Sequence, residues 1–330
     1  MVDTRFDVIG VGNAIVDILV QAEDALLNTE GLIKGAMALV DADTAAALYA
    51  KVGPAVKCSG GSAANTIAGL AELGGAGAFI GKVHADQLGK VFRHDIKSLG
   101  VGFETAPATD GPPTATCLIL VTPDAERTMQ TYLGACVQLS PADIAEEDIS
   151  AAQVTYLEGY LWDPDEAKAA FRKAAKVAHE SSRQVSLSLS DPFCVDRHRE
   201  GFLNLVSSHV DILFANEEEI ISLYQVASFD EALQNVRGQC AIAALTRGAK
   251  GSVIVAGDDV HVIDAAPVRA IVDTTGAGDA FAAGFLYGHT QNQDLATSAR
   301  IGNIAAAEVI SHMGARSEAN LKAQIVSLLA

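Results

Sequence analysis

The residues best suited to chemistry stand late in the sequence, in "DTTGAGDAFAAGF", Asp273 to Phe285. Three residues with little or no side chain, Gly276, Ala277 and Gly278, precede Asp279 where a helix is expected to begin. Bare N–H groups at a helix N-terminus attract an anion, because unpaired donors and the positive end of the helix dipole act together. A side chain at 276 or 278 would intrude on that space. Asp279, in the first turn, is expected to be kept ionised by the same dipole, a carboxylate able to take a proton. The combination suits phosphoryl transfer, where the protein mainly positions groups and stabilises charge. The plain alternative is a glycine turn followed by a helix with a favourable acid at its start.

Other stretches offer partners. In "CSGGSAANTIAGLAELGG" the glycines let backbone approach a ligand, Ser62 is expected to cap a helix, and Asn65 in its first turn would face a ligand hydroxyl. Gly61 and Asn65 together suit a polyol, although a well-capped structural helix explains them too. Asn13 and Asp17, in the apolar "VIGVGNAIVDILV", are polar groups needing partners, and Asp17 can accept two hydrogen bonds from a hydroxyl-rich ligand. "DILFANEEEI" ends a strand in Asn216 and Glu219, whose N-x-x-E spacing is that of a capping box but also suits a hydrated Mg²⁺ ion. "ALTRGAKGS" ends another strand in Thr246, Gly248 and Gly251, a turn where nucleotide could meet main chain or an ordinary polar turn.

The elements that must position these residues follow from periodicity. Apolar strand-like runs ("AGAFIGKV", "QVTYLEGYL", "QVSLSLS", "VDILFAN", "CAIAALT", "GSVIVAG") alternate with Ala-rich helical stretches such as 85–99, 165–181, 197–208 and 217–225. That alternation predicts an α/β fold, a mostly parallel central sheet with helices on both faces. Residues 14–41 and 113–132 depart from the rhythm, with β-rich runs lacking a long helix, and are expected to form a small β-sheet lid. The large domain is then 1–13, 42–112 and 133–330. "RAIVD", ahead of the glycines, reads as a strand.

Composition removes other functions. A net charge of −18, from 41 acids against 23 bases, argues against a nucleic-acid partner. No apolar run is long enough for a membrane span and no leader is evident, so the cytoplasm is the expected location. The five cysteines form no C-x-x-C pair and the eight histidines no H-x-H or H-E-x-x-H spacing, which speaks against a disulfide framework and a zinc site. "VIGVGNAIVD" fails the dinucleotide fingerprint, since Ile15 stands where the third glycine belongs, and "GGAGAFIGKV" is not a P-loop. A hydride-transferring enzyme is thereby disfavoured. A non-catalytic nucleotide sensor would be expected to lose Asp279 or the small residues before it.

The pair "CSGGSAANTIAGLAELG" and "IVDTTGAGDAFAAGFLYG" resembles the two signature stretches of the ribokinase-like (PfkB) carbohydrate kinases. "IGKVHADQLGKVFRHDIKSLGV", "ANEEE", "LTRGAKG" and "IGNIAAAEVISHMGA" follow the family's order, so the likeness spans nearly the whole chain. It implies ATP-dependent phosphorylation of a hydroxymethyl group, with Asp279 as catalytic base and residues 276–278 as anion hole. By the same likeness Asp17, Gly61 and Asn65 hold substrate hydroxyls, Asn216 and Glu219 organise Mg²⁺, and Thr246, Gly248 and Asn303 face ATP. Asp273 and Thr275 fall near a site for a monovalent cation such as K⁺ found in some members. "VGNAIVDI", "SLSLSDPF" and "DAERTM" resemble the adenosine kinase branch, in which the counterpart of Arg127 reaches from the lid toward the phosphates. A purine would need a flat apolar slot, for which Asn13, Ile15, Tyr160 and Trp162 are candidates. "HAD" at 84–86 departs from the family's usual Gly before an acid, which leaves the acceptor open. The expected acceptor is adenosine or a related nucleoside, with fructose, ribose or a ketodeoxy sugar acid as the alternative, acted on by a monomer or by a homodimer joined through the lid.

Overall fold

The computed structural model describes residues 4–124, 126–268 and 270–329. Its backbone is built on two sheets. From edge to edge the larger one runs Asp259–Ile263, Ser252–Ala256, Ile242–Thr246, Ile212–Asn216, Gln184–Ser188, Ala152–Glu158, Phe6–Val11 and Gly77–Ile80. The strands from Ile242–Thr246 to Gly77–Ile80 pair in parallel, and only the two at the other edge are antiparallel. Helices cover both faces. On the strand Phe6–Val11, Ile9 and Val11 join one buried cluster with Phe171 and Leu205, while Val8 joins the other with Phe79 and Phe285. A strand buried on both sides has no reason to alternate polar with apolar, hence its nearly continuous apolar run.

The helices fit by the same logic. Asp165–Glu180 turns Ala167, Ala170, Phe171, Ala174, Ala175 and Ala178 inward, the spacing of one helical face, and small alanines let it lie close to the sheet. Among the described residues no helix is long and apolar enough to cross a membrane.

The smaller sheet is mixed, in the order Met37–Leu39, Arg127–Tyr132, Ala115–Val121, Ile15–Gln21 and Val56–Gly60. Its last strand lies in 42–112, a stretch that sequence assigns to the large domain. "VKCSG" is too short and too polar to read as a strand, yet it pairs antiparallel with Ile15–Gln21 and sets Cys58 beside Asp17. Alternation is decisive in the centre of this sheet: Val16, Ile18 and Val20 enter the main core, whereas Ile15, Asp17 and Leu19 face a cavity between the two sheets. The expected strand before the glycines is absent. Ala270–Asp273 runs irregularly, tied by Val272 N–H to the Ile310 carbonyl, with Ile271 largely exposed, so β-branched composition misled there. Arg269, the first residue of that run, and Ala125 of the small-sheet segment lie outside the described residues.

Candidate active site

The parallel strands end at one cavity of about 1090 Å³. Asn13, Glu158, Ser188, Asn216 and Thr246 stand at or just beyond the carboxyl ends of five strands and line it, with Glu158 in register with Ser188 and Asn216 with Thr246. Ligands of open parallel sheets sit at this edge, because the loops there can diverge. The small sheet forms the opposite wall.

Two helices point their N-termini into the cavity. The helix Ala277–Thr290 is led by Gly276 at φ 76°, a conformation that favours glycine, and a Cβ there would come 2.7 Å from that of Ala315. A Cβ on Gly278 would meet nothing within 4 Å, so its missing side chain leaves open space on the cavity side. Among the described residues the amides of Gly276, Gly278 and Asp279 have no protein acceptor, as expected for a first turn. Ala277 differs from the sequence expectation: its N–H is given to the Thr274 carbonyl at 3.2 Å and turns away from an incoming anion.

Asp279 receives two side chains from the second helix, Ser62–Leu73. Ser62 Oγ donates to Oδ1 at 2.6 Å and Asn65 Nδ2 reaches Oδ2 at 3.5 Å. Ser62 therefore does not cap its own helix; Gly61 is the N-cap residue, at φ 98°, and a Cβ there would lie 2.2 Å from the Asn13 carbonyl oxygen. Nor is Asp279 held strongly acidic by the dipole. Burial outweighs the hydrogen bonds from Ser62 and Asn65 and lifts its pKa to about 7. A carboxyl near neutrality is a stronger base than the sequence promised.

Asp17 lies across the cavity between Cys58 and Cys117 of the neighbouring strands. Burial raises its pKa to about 6 against the opposing charges of Arg316 and Arg127. Asn13 is buried with its Nδ2 on Glu158 Oε1 at 2.6 Å, so part of its hydrogen-bonding capacity is used internally. Tyr160 borders the cavity, its hydroxyl on the Ser190 carbonyl at 3.2 Å.

Trp162 does not belong here. It is 2% exposed, packs against Phe171 and Phe202, and forms part of the buried cluster that holds Phe171 and Leu205, the usual place of a large aromatic. Gly251 and Asn303 are also displaced from the cavity lining. A Cβ on Gly251 would strike the Ile263 carbonyl oxygen at 2.0 Å, so that glycine serves the turn between strands, and Asn303 Nδ2 donates to the Asp264 carbonyl at 2.9 Å. Thr246 and Gly248 do line the cavity.

Asn216 and Glu219 form a closed capping box: Glu219 Oε2 accepts from Asn216 N at 2.9 Å, Oε1 from Asn216 Nδ2 at 2.6 Å, and Asn216 Oδ1 from Glu219 N at 2.8 Å. Both border the cavity, and burial lifts Glu219 to about 7. With these oxygens engaged, the pair fits a metal ion only through the ion's waters, and the described residues contain no group of three or more His, Cys, Asp or Glu suited to holding a metal. Asp273 accepts from Thr275 N and Gly314 N, both at 2.9 Å, and its Oδ2 lies 3.0 Å from Arg127 Nε. A carboxylate so occupied by two amides and a guanidinium is a poor fit for a bare K⁺ ion. Arg127, 7% exposed, thus spans from the small sheet to the glycine turn by this ion pair, and neither its Nε nor its Nη2 makes a hydrogen bond among the described residues.

Among the cavity residues that sequence reasoning missed, four stand out. Glu158 is buried at a strand end, accepting from Asn13 and from Ala63 N at 2.8 Å, with its pKa raised by burial to about 7. The rule that singled out Asn216, a polar residue closing an apolar strand, would have found it. Asp191 caps the helix Pro192–His209, and Phe193 follows it 77% exposed over the cavity mouth. Arg316 has no spacing signal, standing one residue past "IGNIAAAEVISHMGA".

Comparison with known proteins identifies the family. Residues 37–322 match the family model of the pfkB family carbohydrate kinase. The crystal structure of a probable sugar kinase from Rhizobium etli CFN 42 is similar over 98% of this chain and 99% of that one, at 49% identity and a TM-score of 0.91. An adenosine kinase from Sinorhizobium meliloti is similar over 98% of this chain and all of that one (100%), at 48% identity and a TM-score of 0.91. The ATP-dependent ribose-1-phosphate kinase of Halopiger xanaduensis is 32% identical over 264 residues, 78% of this chain and 82% of that protein. The chain belongs to the pfkB family of carbohydrate kinases, enzymes that transfer a phosphoryl group to an alcohol.

Proposed function

We propose that the chain is an ATP-dependent nucleoside kinase that phosphorylates the hydroxymethyl group of adenosine. The observation that carries this is the meeting of Asp279, three acceptor-free amides and Asp17 around one cavity walled on the small-sheet side by apolar Ile15, Leu19, Ile119 and Met129. A flat base suits such a wall, with the edge of Phe193 available at the mouth. The 48% identical adenosine kinase supports the same choice. Fructose, ribose or a ketodeoxy sugar acid is the second reading, favoured by the equally similar probable sugar kinase.

In this reading Asp17 accepts hydrogen bonds from acceptor hydroxyls and fixes the acceptor's pose. Asp279 takes the proton of the attacking hydroxyl as its oxygen bonds to the γ-phosphorus and the bond from that phosphorus to the bridging oxygen breaks, releasing ADP. The amides of Gly276, Gly278 and Asp279 hold the charge that spreads over the moving group. Arg127 supplies a further donor fork from the small sheet. Mg²⁺ would be reached by Asn216 and Glu219 through its waters and would neutralise phosphate charge. Thr246 and Gly248, farther along the same strand ends, would meet the nucleotide.

An ADP-release assay across adenosine, other nucleosides, fructose, ribose and ketodeoxy sugar acids tests the proposal. Adenosine is expected to give the highest kcat/KM; a sugar turned over far more efficiently than any nucleoside would replace the first reading by the second.

A further inference from the structure

The segment Gly314–Arg316, after the helix Leu295–Val309, touches both helix starts of the site and the Asp273 carboxylate. Gly314 N–H holds Asp273 Oδ2, and Ala315 fills the space beside Gly276 that a side chain would need. Arg316 then spreads its guanidinium over the other helix end: Nε donates to Asn65 Oδ1 at 3.2 Å, Nη1 to Asp95 Oδ2 at 3.3 Å, and Nη2 to Ser59 Oγ at 2.9 Å and to the Ser59 carbonyl. Asp95 Oδ2 is itself anchored by Ser59 N at 2.7 Å and Ser59 Oγ at 2.6 Å.

A side-chain amide has an accepting end and a donating end of the same size, and its surroundings decide which way it faces. Guanidinium has donors only. By taking Asn65 Oδ1, Arg316 leaves Nδ2 as the end that faces Asp279; the reversed amide would set a carbonyl against a carboxylate and against no donor. The structure assigns Arg316 as a positioning residue for phosphoryl transfer, which fixes the polarity of Asn65 and through it the orientation of the Asp279 carboxylate. This rests on the reading of Asp279 as the base.

The charge of Arg316 acts in the same direction, opposing the burial that raises both Asp279 and Asp17. The other groups around Asp279 are Ser62 and Asn65 from the helix start, Asp17 from the small sheet, and Glu158 with Tyr156 and Tyr160 from the strand end. None of these carries a positive charge; Arg127, paired with Asp273, opposes burial at Asp17 alongside Arg316, whereas at Asp279 Arg316 is the opposing cation that the pH profile should sense.

The test compares Arg316→Gln, Arg316→Lys and Asp279→Asn with the parent enzyme, using the best acceptor of the substrate panel. Arg316→Gln is expected to lower kcat about 10- to 30-fold, keep the KM for ATP within about twofold, and move the acid limb of kcat/KM to higher pH by about half a unit. Arg316→Lys keeps a charge but cannot span three partners, so its acid limb should stay near the parental pH while kcat remains several-fold low. Melting temperatures and calorimetric acceptor binding separate these effects from misfolding. Arg316→Gln with kcat within twofold of the parent, or with reduced kcat and an unmoved limb in a folded protein, overturns the positioning role. Near-normal turnover of Asp279→Asn would instead overturn the base assignment itself, so the two failures are distinguishable.

Discussion

The helices Ser62–Leu73 and Ala277–Thr290 both start on a glycine with positive φ and both aim their first turn at the same cavity, but the glycines around them are needed for different reasons. At Gly61 a side chain is barred by the protein's own main chain, 2.2 Å away at Asn13. At Gly278 nothing bars one. The first helix supplies donors, Ser62 and Asn65; the second supplies the acceptor, Asp279, together with free amides. Both cap glycines are fixed by the fold, Gly276 against Ala315, and of the three only Gly278, within the first turn, leaves open volume on the cavity side.

The strongest way to break this contrast is to remove the acceptor. Asp279→Asn should lower kcat by about 10³-fold while calorimetric binding of nucleotide and acceptor stays close to parental. A side chain added at each of the two glycines should then give opposite readouts. Gly61→Ala is expected to cost about 1–3 kcal/mol of stability, seen in denaturant melts, through its positive φ and the clash with Asn13. Gly278→Val should leave the melt nearly unchanged and lower kcat about 10²-fold by crowding the moving phosphoryl group. Equal losses of stability at both positions would erase the distinction.

The pH profile sharpens it further. Asp279 and Asp17, raised to about 7 and about 6, must be ionised to act, so kcat/KM of the free enzyme should fall as pH drops through 7 and steepen near 6. Stability runs the other way. With Glu158 and Glu219 also raised to about 7, the folded state binds protons more readily than the unfolded chain. Their contribution is complete below the ordinary carboxyl range near 4 and is lost as pH rises through 6 to 7. Thermal melts from pH 5 to 8 should show this fall, and Asp279→Asn should flatten part of it. The smallest effect lies away from both helix ends: Trp162→Phe should change the acceptor KM by less than about twofold, with its cost confined to stability.

The alternation of strand and helix was readable because burial on both faces demands uninterrupted apolar strands, and the two glycine stretches because bare backbone beside polar residues has few structural uses. What escaped depends on distance in sequence. Trp162 has the same composition whether it lines a ligand slot or fills a core, and only its neighbours Phe171 and Phe202 decide. The dipole acting on Asp279 is local and legible in the sequence, whereas its hydrogen-bond partners Ser62 and Asn65 stand more than two hundred positions away. "VKCSG" became a strand because Ile15–Gln21 offered it an edge, and Arg316 joined the site through partners at 59, 65 and 95 that no motif connects to it.

Arg127 carries one more consequence. Its guanidinium is already stripped of most water and neutralised by Asp273, with Nη2 unclaimed among the described residues. A phosphate arriving beside it exchanges one anion for another instead of dehydrating a solvated cation, which lowers the reorganisation needed for capture. The displaced carboxylate is anchored by Thr275 and Gly314, so it keeps its place and can take the arginine back once the product departs. In the proposed reading, a fixed counter-ion of this kind would make the small sheet's grip reversible, a property that a catalyst obliged to release a charged product on every cycle requires.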